Sequence, residues 1–512
     1  MVKILEIKNN DWLKGISAQP NLPIGGLFQY LQGCDPFEQG GLALPSLAPD
    51  NQSLATTPKF IQGYKNPVSG ASTLNVLTNS KLYRVLKNSP YTVIDETAQI
   101  SASLPFGGTL ISYNGHTIYK GVYIYVTGTN AAVSYAIQAN SLNVASGSDV
   151  NIGLAVNTNY FTTNFGNFTF KFCQGADGNL YFNLPEGVGE ITNVAGTSGN
   201  TNAAITTGKI DPGFVVRDLI NDGRYLVILA DNNGTNDSDK VDGDFQSKIY
   251  FWDMVQTDGN GRIIADVTWD LKDPYLIGGK FLEGGVYFFG HNGFYVCNIA
   301  TSPKLIRAYP LTVSPATYGQ PTNAYQIVSN KGSIYWVDGT DTVNGYVYAY
   351  GNPVTGQPKI FYIPYVQSGS IYQHSCIASS GNNFITGSAQ PGLFFFNVGS
   401  TRGHVVVKSI DTNMPSPFTY GFTKVVLGQK LAAGQTVQCI ATSAGGTQTI
   451  SSETKSYNAA NPKQELKFTR IPSSTNQPEK FEDITITVNS NGAPIQRIST
   501  YATPIDDGNE DL

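Results

Sequence analysis

The densest run of groups able to bind a cation is Asp231-Asn-Asn-Gly-Thr-Asn-Asp-Ser-Asp-Lys-Val-Asp-Gly-Asp244. Its carboxylates, Asp231, Asp237, Asp239, Asp242 and Asp244, alternate with amide oxygens. Together these are the hard ligands that calcium accepts in flexible geometry. An EF-hand register fails: placing Gly243 or Gly234 at the sixth loop position puts Ser238 or Leu229 at the first. A solvated inter-strand loop is the plainer reading of the same residues. The five aspartates are the candidate metal ligands, and no organic cofactor is expected.

Other chemistry-bearing residues stand apart. His116, His291, His374 and His404 lack the short-spaced pairing of zinc sites, and His291 in Gly290-His-Asn-Gly293 reads as a turn residue. Gly399-Ser-Thr-Arg-Gly403 comes nearest to a nucleophile elbow, but Thr401 holds the nucleophile's place and no strand-to-helix context surrounds it. There is no phosphate loop. The stretch from Asp258 to Trp269 departs from the Asp-box repeat of sialidases. A glycosidase needs a carboxyl pair whose spacing no sequence gives. The expectation is a protein that is not an enzyme. Five cysteines, Cys34, Cys173, Cys297, Cys376 and Cys439, are odd in number and widely scattered, as reduced thiols packed like small hydrophobes would be.

The elements that would position any site are hairpins. Tyr250, Tyr295, Tyr348 and Phe395 recur at intervals of 45, 53 and 47 residues, each on the second arm of a predicted hairpin. Repeats of about 40–50 residues are the spacing of propeller blades, which cannot bury their faces alone and must stack on neighbours. Gly285-Val-Tyr-Phe-Phe, Asn292-Gly-Phe-Tyr-Val and Gly332-Ser-Ile-Tyr-Trp-Val share one grammar of Gly or Asn turn followed by aromatic strand. Leu74 to Leu77 and Leu82 to Val85 give an early copy. Between Tyr83 and Tyr250 the rhythm blurs. The chain is therefore expected to be all-β, with a six- or seven-bladed β-propeller over 60–411 and an insertion around 134–166. Recurrence of the aromatics at equivalent positions favours packing between blades over a sugar-binding platform.

Residues 1–59 keep neither the helical nor the strand period and read as an extended N-terminal docking arm. Trp12, Leu13, Ile16, Leu27, Phe28 and Tyr30 are its candidate interaction residues. The arm either packs on its own propeller, supplying a strand that closes the ring, or reaches a neighbouring subunit. After Met414-Pro-Ser-Pro417 short alternating runs return. Ile484, Ile486 and Val488 fall on one face with Thr485 and Thr487 on the other, which predicts a C-terminal β-sandwich over 418–505. Residues 506–512 form an acidic tail.

Bulk composition narrows the function. The 512 residues suggest two or three domains. Charged residues are 13 % of the chain, so uncharged polar groups must carry solubility, as suits a part packed into an assembly. A net charge of −5 with no basic block argues against specific nucleic-acid binding. Aliphatic stretches such as Leu226 to Ala230 are too short for membrane insertion, and the N-terminus lacks a secretory apolar run.

With an arm carrying Trp12-Leu-Lys-Gly-Ile-Ser17, a Tyr-rich propeller and a C-terminal β-domain, the layout resembles propeller-containing structural proteins of tailed-bacteriophage virions. In the C-terminal part the resemblance rests on Lys424-Val-Val-Leu-Gly-Gln-Lys-Leu-Ala-Ala-Gly434, Ile484-Thr-Ile-Thr-Val488 and Gly492-Ala-Pro-Ile-Gln-Arg-Ile498. The resemblance implies a tail nozzle, tail-tip or neck component that forms a homo-oligomeric ring with other virion proteins around the DNA exit path. It also implies assembly in a bacterial cytoplasm and residence in the virion. A host-glycan-binding propeller is the alternative expectation, and a glycosidase the third.

Overall fold

The computed structural model describes residues 5–9, 30–32, 49–65, 72–86, 92–95, 110–120, 122–129, 134–141, 169–191, 205–233, 245–308, 320–330, 332–338, 346–351, 359–364, 374–380, 383–388, 392–396, 403–407, 418–443, 448–469, 484–491, 493 and 495–504. Among these the chain is all-β apart from one 3-10 turn, Ala324–Gln326. Three strands come from the N-terminal region: β1 (Leu5–Asn9), β2 (Tyr30–Gln32) and β3 (Pro49–Ser53).

A series of antiparallel sheets follows. The first holds β4 (Pro58–Lys65), β5 (Ser72–Thr78), β6 (Leu82–Leu86) and β7 (Thr92–Asp95). The second holds β8 (Leu110–Tyr119), β9 (Val122–Thr129) and β10 (Ser134–Ser141). The third holds β11 (Phe172–Gln174), β12 (Leu180–Leu184), β13 (Gly187–Ile191) and β14 (Ile205–Lys209). The fourth holds β15 (Val215–Asn221), β16 (Leu226–Asp231), β17 (Ser247–Trp252) and β18 (Val267–Leu271). The fifth holds β19 (Leu276–Leu282), β20 (Gly285–Gly290), β21 (Gly293–Asn298) and β22 (Thr301–Ala308). The sixth orders β23 (Ile327–Asn330), β24 (Ser333–Val337), β25 (Tyr346–Gly351) and β26 (Lys359–Pro364). The seventh orders β27 (His374–Ser380), β28 (Asn383–Ser388) and β29 (Gly392–Phe396), and its fourth strand is β3. The first strands β4, β8, β11, β15, β19, β23 and β27 each lie beside the next, and β27 lies beside β4. This is a β-propeller arrangement.

The remaining strands are β30 (Gly403–Val407), β31 (Phe418–Leu427), β32 (Thr436–Ser443), β33 (Gln448–Ser456), β34 (Glu465–Thr469), β35 (Thr485–Asn491) and β36 (Ile495–Pro504). They form two further sheets, ordered β1-β36-β31-β34 and β2-β30-β35-β32-β33. Both contribute to one apolar cluster that includes Val425, Phe468 and Ile498 from one sheet and Val437, Ile450 and Val488 from the other. By internal contacts the chain divides into two units, Asn51–Val343 with Tyr372–Phe395, and Met1–Asp50 with Asn344–Ile371 and Phe396–Leu512.

Strand alternation explains the propeller core. On β16 every residue is buried, because both faces of the sheet are covered. Leu226, Ile228 and Ala230 join an apolar cluster with Tyr181 and Val188 of the third sheet. Val227 and Leu229 join a different cluster with Val286 and Phe288 of the fifth. A period of two thus sends successive side chains to opposite neighbours. Two of the recurrent aromatics and one from the early copy obey the same rule: Tyr250 packs toward the third sheet, Tyr295 toward the fourth and Tyr83 toward the seventh. Each therefore faces the preceding sheet, and burial of such a ring stabilises by about 1.5–3 kcal/mol.

Two local details differ from the sequence reading. The turn with positive φ at both central residues is Glu283-Gly284 (φ 49° and 83°), not Asn292-Gly293. Ser134–Ser141, where the expected insertion begins, is itself β10 and ladders with β9 along its whole length. At β13, Gly189 leaves room for the Phe182 ring, whose nearest atom would lie 2.2 Å from a Cβ at that position.

Candidate functional site

The starts of β11, β15 and β19, together with the 3-10 turn, wall a cavity of about 340 Å³. Its polar lining includes Thr169, Lys171, Arg217, Asn233, Tyr275 and Asn323. Local hydrogen bonds fix these walls. Asn183 Oδ1 accepts from the Lys171 amide at 2.6 Å, while its Nδ2 donates to the Thr169 and Val216 carbonyls, both at 3.2 Å. One buried amide thereby joins the third sheet to the fourth. Asn323 caps the 3-10 turn through Oδ1, which accepts from the Tyr325 amide at 2.9 Å.

Lys171 is 8 % exposed. Its Nζ donates to the Ala324 carbonyl at 3.1 Å and sits 3.9 Å from the centroid of the Tyr325 ring. Burial, aided by the nearby charge of Lys280 and opposed by Asp218, brings its amine down to about 7. Behind it lies the buried ring cluster of Phe60, His116 and Tyr325. His116 Nδ1 shares a hydrogen bond with the Tyr123 hydroxyl at 2.9 Å. Burial first, and the Lys171 charge second, push its imidazole down to about 3. Asp218 is fully buried and accepts from the Leu219 and Gly279 amides, both at 2.9 Å. Burial raises its carboxyl above the usual range against the pull of Lys171 and Lys280.

These shifts have a consequence for stability. Between pH 3 and 6.5 the unfolded chain protonates His116 while the folded chain keeps it neutral, so stability falls as pH falls through that window. Lys171 acts in the same sense between about 7 and 10.5, where only the unfolded chain carries the charge and stability rises with pH. Urea unfolding midpoints measured from pH 6.5 to 4.5 are expected to fall less steeply in His116→Gln than in the wild type. The difference is at most about 1.4 kcal/mol per pH unit. Parallel slopes would mean that His116 is protonated in the folded state.

The Asp231 carboxylate faces the opposite wall. It takes Arg217 Nε and Nη2, each at 2.8 Å, and the amides of Asn233 at 3.1 Å and Leu276 at 2.9 Å. With both oxygens engaged by an arginine fork, this aspartate ties β16 to β15 and β19. The other four candidate calcium ligands, Asp237, Asp239, Asp242 and Asp244, lie outside the described residues, as do Trp12, Leu13, Ile16, Leu27 and Phe28. Tyr30 begins β2, opposite Val406. Among the described residues no group of three or more His, Cys, Asp or Glu side chains is placed to hold a metal. His291 is a turn residue whose amide donates to Asp273 Oδ1 at 2.8 Å.

The aromatic repeat itself carries polar work. Tyr250 donates its hydroxyl to Asp211 at 3.1 Å, and Tyr295 donates to Asp273 at 3.0 Å. In both cases the carboxylate precedes the first strand of the sheet that bears the tyrosine. Asp273 also accepts from the Asn292 amide at 3.0 Å. Burial and these carboxylates push both phenols above the ordinary range. Sequence reasoning did not single out Lys171, Tyr325 or Asp218. The one available signal was a lone cation within Phe168-Thr-Phe-Lys-Phe-Cys173.

No family model matches the chain, and no curated protein does. Among solved structures it is similar to virginiamycin B lyase from Staphylococcus aureus with quinupristin, at 12 % identity and a TM-score of 0.43, covering 68 % of this chain and 98 % of that one. A streptogramin B lyase is similar at 9 % identity and a TM-score of 0.42, covering 68 % and 96 %. The WD40 domain of Neurospora crassa Pan2 follows at 8 % identity and a TM-score of 0.36, covering 66 % and 94 %. At these values nothing about activity passes from those proteins to this chain.

Proposed function

We propose that this chain is a non-enzymatic structural component of a tailed-phage virion, at the tail nozzle, tail tip or neck. In this reading a seven-bladed propeller is the rigid platform and the C-terminal sheets form a β-sandwich. The cyclic neighbour order of the seven first strands supports the blade number, and the apolar cluster shared by two sheets supports the sandwich.

One observation carries the assembly reading: strands from the first 53 residues occupy an edge in three separate sheets. β3 completes the sheet begun by β27, so the last blade is closed by chain from the opposite end of the sequence. A blade closed in this way ties the two ends of the propeller span together. Such construction suits a part that bears stress in a particle. The partners are other tail or neck proteins and further copies of the chain in a homo-oligomeric ring. A mildly acidic protein would let DNA pass without gripping its phosphates.

Electron microscopy of virions labelled with antibody against this protein tests the proposal, together with mass photometry of the purified chain. Label at the tail or neck and a ring-sized oligomer are expected. A persistent monomer that is missing from purified virions would remove the proposal.

A further inference from the structure

We propose that the cavity walled by Lys171, Arg217 and Tyr275 binds a single carboxylate-bearing sugar residue of the hexuronic acid class. The inference is independent of the assembly role.

Three features of the lining carry it. First, two cationic donors have capacity left. Lys171 Nζ gives one hydrogen bond, to Ala324, and Arg217 uses Nε and Nη2 on Asp231 and Asn233, which leaves Nη1 without a protein acceptor among the described residues. Nearby stand Lys280 and Arg217 against Asp218 and Asp231, so a protonated Lys171, whose amine lies at about 7, adds the one positive charge that suits a monoanion at or below neutral pH. Second, several neutral polar groups of the lining are likewise uncommitted. The Thr169 hydroxyl, the Asn233 side-chain amide, Asn323 Nδ2 and the Tyr275 hydroxyl make no hydrogen bond to the described protein. Hydroxyls and amides that can both donate and accept match the ring hydroxyls of a sugar. Third, about 340 Å³ lies at the small end of ligand pockets, which seats one ring rather than an oligomer.

The Lys171 ammonium, bonded to Ala324 and resting on the Tyr325 ring, would meet the sugar carboxylate with a remaining N–H, and a charge-assisted hydrogen bond there would dominate selectivity. Arg217 Nη1 would take a second oxygen. Tyr275 would offer its ring face and hydroxyl.

Saturation-transfer NMR and calorimetry of the full chain with glucuronate, glucose and acetate provide the test. Glucuronate is expected to bind saturably, with glucose and acetate each weaker by about tenfold or more, and Lys171→Met is expected to cost about tenfold in glucuronate affinity. Should Lys171→Met fail to fold, Thr169→Val tests the hydroxyl contact and is expected to weaken glucuronate without changing acetate. Equal binding of glucose and glucuronate would overturn the proposal. So would acetate binding as tightly as glucuronate, an absence of saturation at about 50 mM, or undiminished affinity in the folded variant.

Discussion

Removing residues 1–53 is expected to abolish soluble expression of the remaining chain. The three strands lost are all edge strands, paired to β36, β30 and β29. Leu5 to Asn9 pair residue for residue with Ala502 to Ile498, and Tyr30 to Gln32 with Val406 to His404. Each ladder hydrogen bond contributes about 1 kcal/mol net, so the three ladders together rival the roughly 5–15 kcal/mol that holds a domain folded. Their loss also turns β36, β30 and β29, which are paired on both sides, into new edges whose bared backbone groups template aggregation. Soluble fraction after expression is the measurement, and co-expression of residues 1–53 as a separate chain should restore part of it. A soluble truncated chain with an unchanged melting temperature would show that those edges tolerate exposure.

Replacing Asp231 by alanine is expected to destabilise the propeller by about 3 kcal/mol, within the range for breaking a buried ion pair. The carboxylate is fully buried, whereas the Arg217 side chain is 25 % exposed, so water recovers part of the arginine's loss. The amides of Leu276 and Asn233 lose their acceptor as well, and an orphaned buried donor costs about 1–3 kcal/mol. Asp231→Asn keeps an acceptor oxygen but no charge, and should lie between the wild type and the alanine variant. Combining Arg217→Met with Asp231→Leu removes both charges and is expected to cost less than Asp231→Ala alone. Urea denaturation of the four proteins measures the series. Equal stability of wild type and Asp231→Ala would mean that the fork contributes no net stabilisation.

The position of Asp231 also shows what a linear reading leaves out. In the sequence it opens an acidic run, and proximity to Asp237 and Asp239 suggests shared cation binding. In the fold it ends β16, and the nearest cation is an arginine fourteen residues earlier on the paired strand. The fork stays within one hairpin, whereas the bond from the Leu276 amide comes from the next sheet, where chain neighbours and spatial neighbours no longer coincide. The same limit applies to β30, which lies inside the span expected for the propeller yet ladders with β35.

The all-β class, the hairpin grammar and the inter-sheet role of Tyr250 and Tyr295 were legible in the residues alone. Each of these follows from alternation and turn residues within a few positions, where backbone geometry alone dictates which side chains share a face. Which distant strands add to the sheet edges is set by the folded chain, as when Leu5 meets Ala502. The same holds for Lys171, Asp218 and Tyr325, which come from three different sheets or connections into one low-dielectric centre. Such meetings depend on the circular stacking of whole sheets, a long-range closure that leaves no periodic mark on the residues it brings into contact.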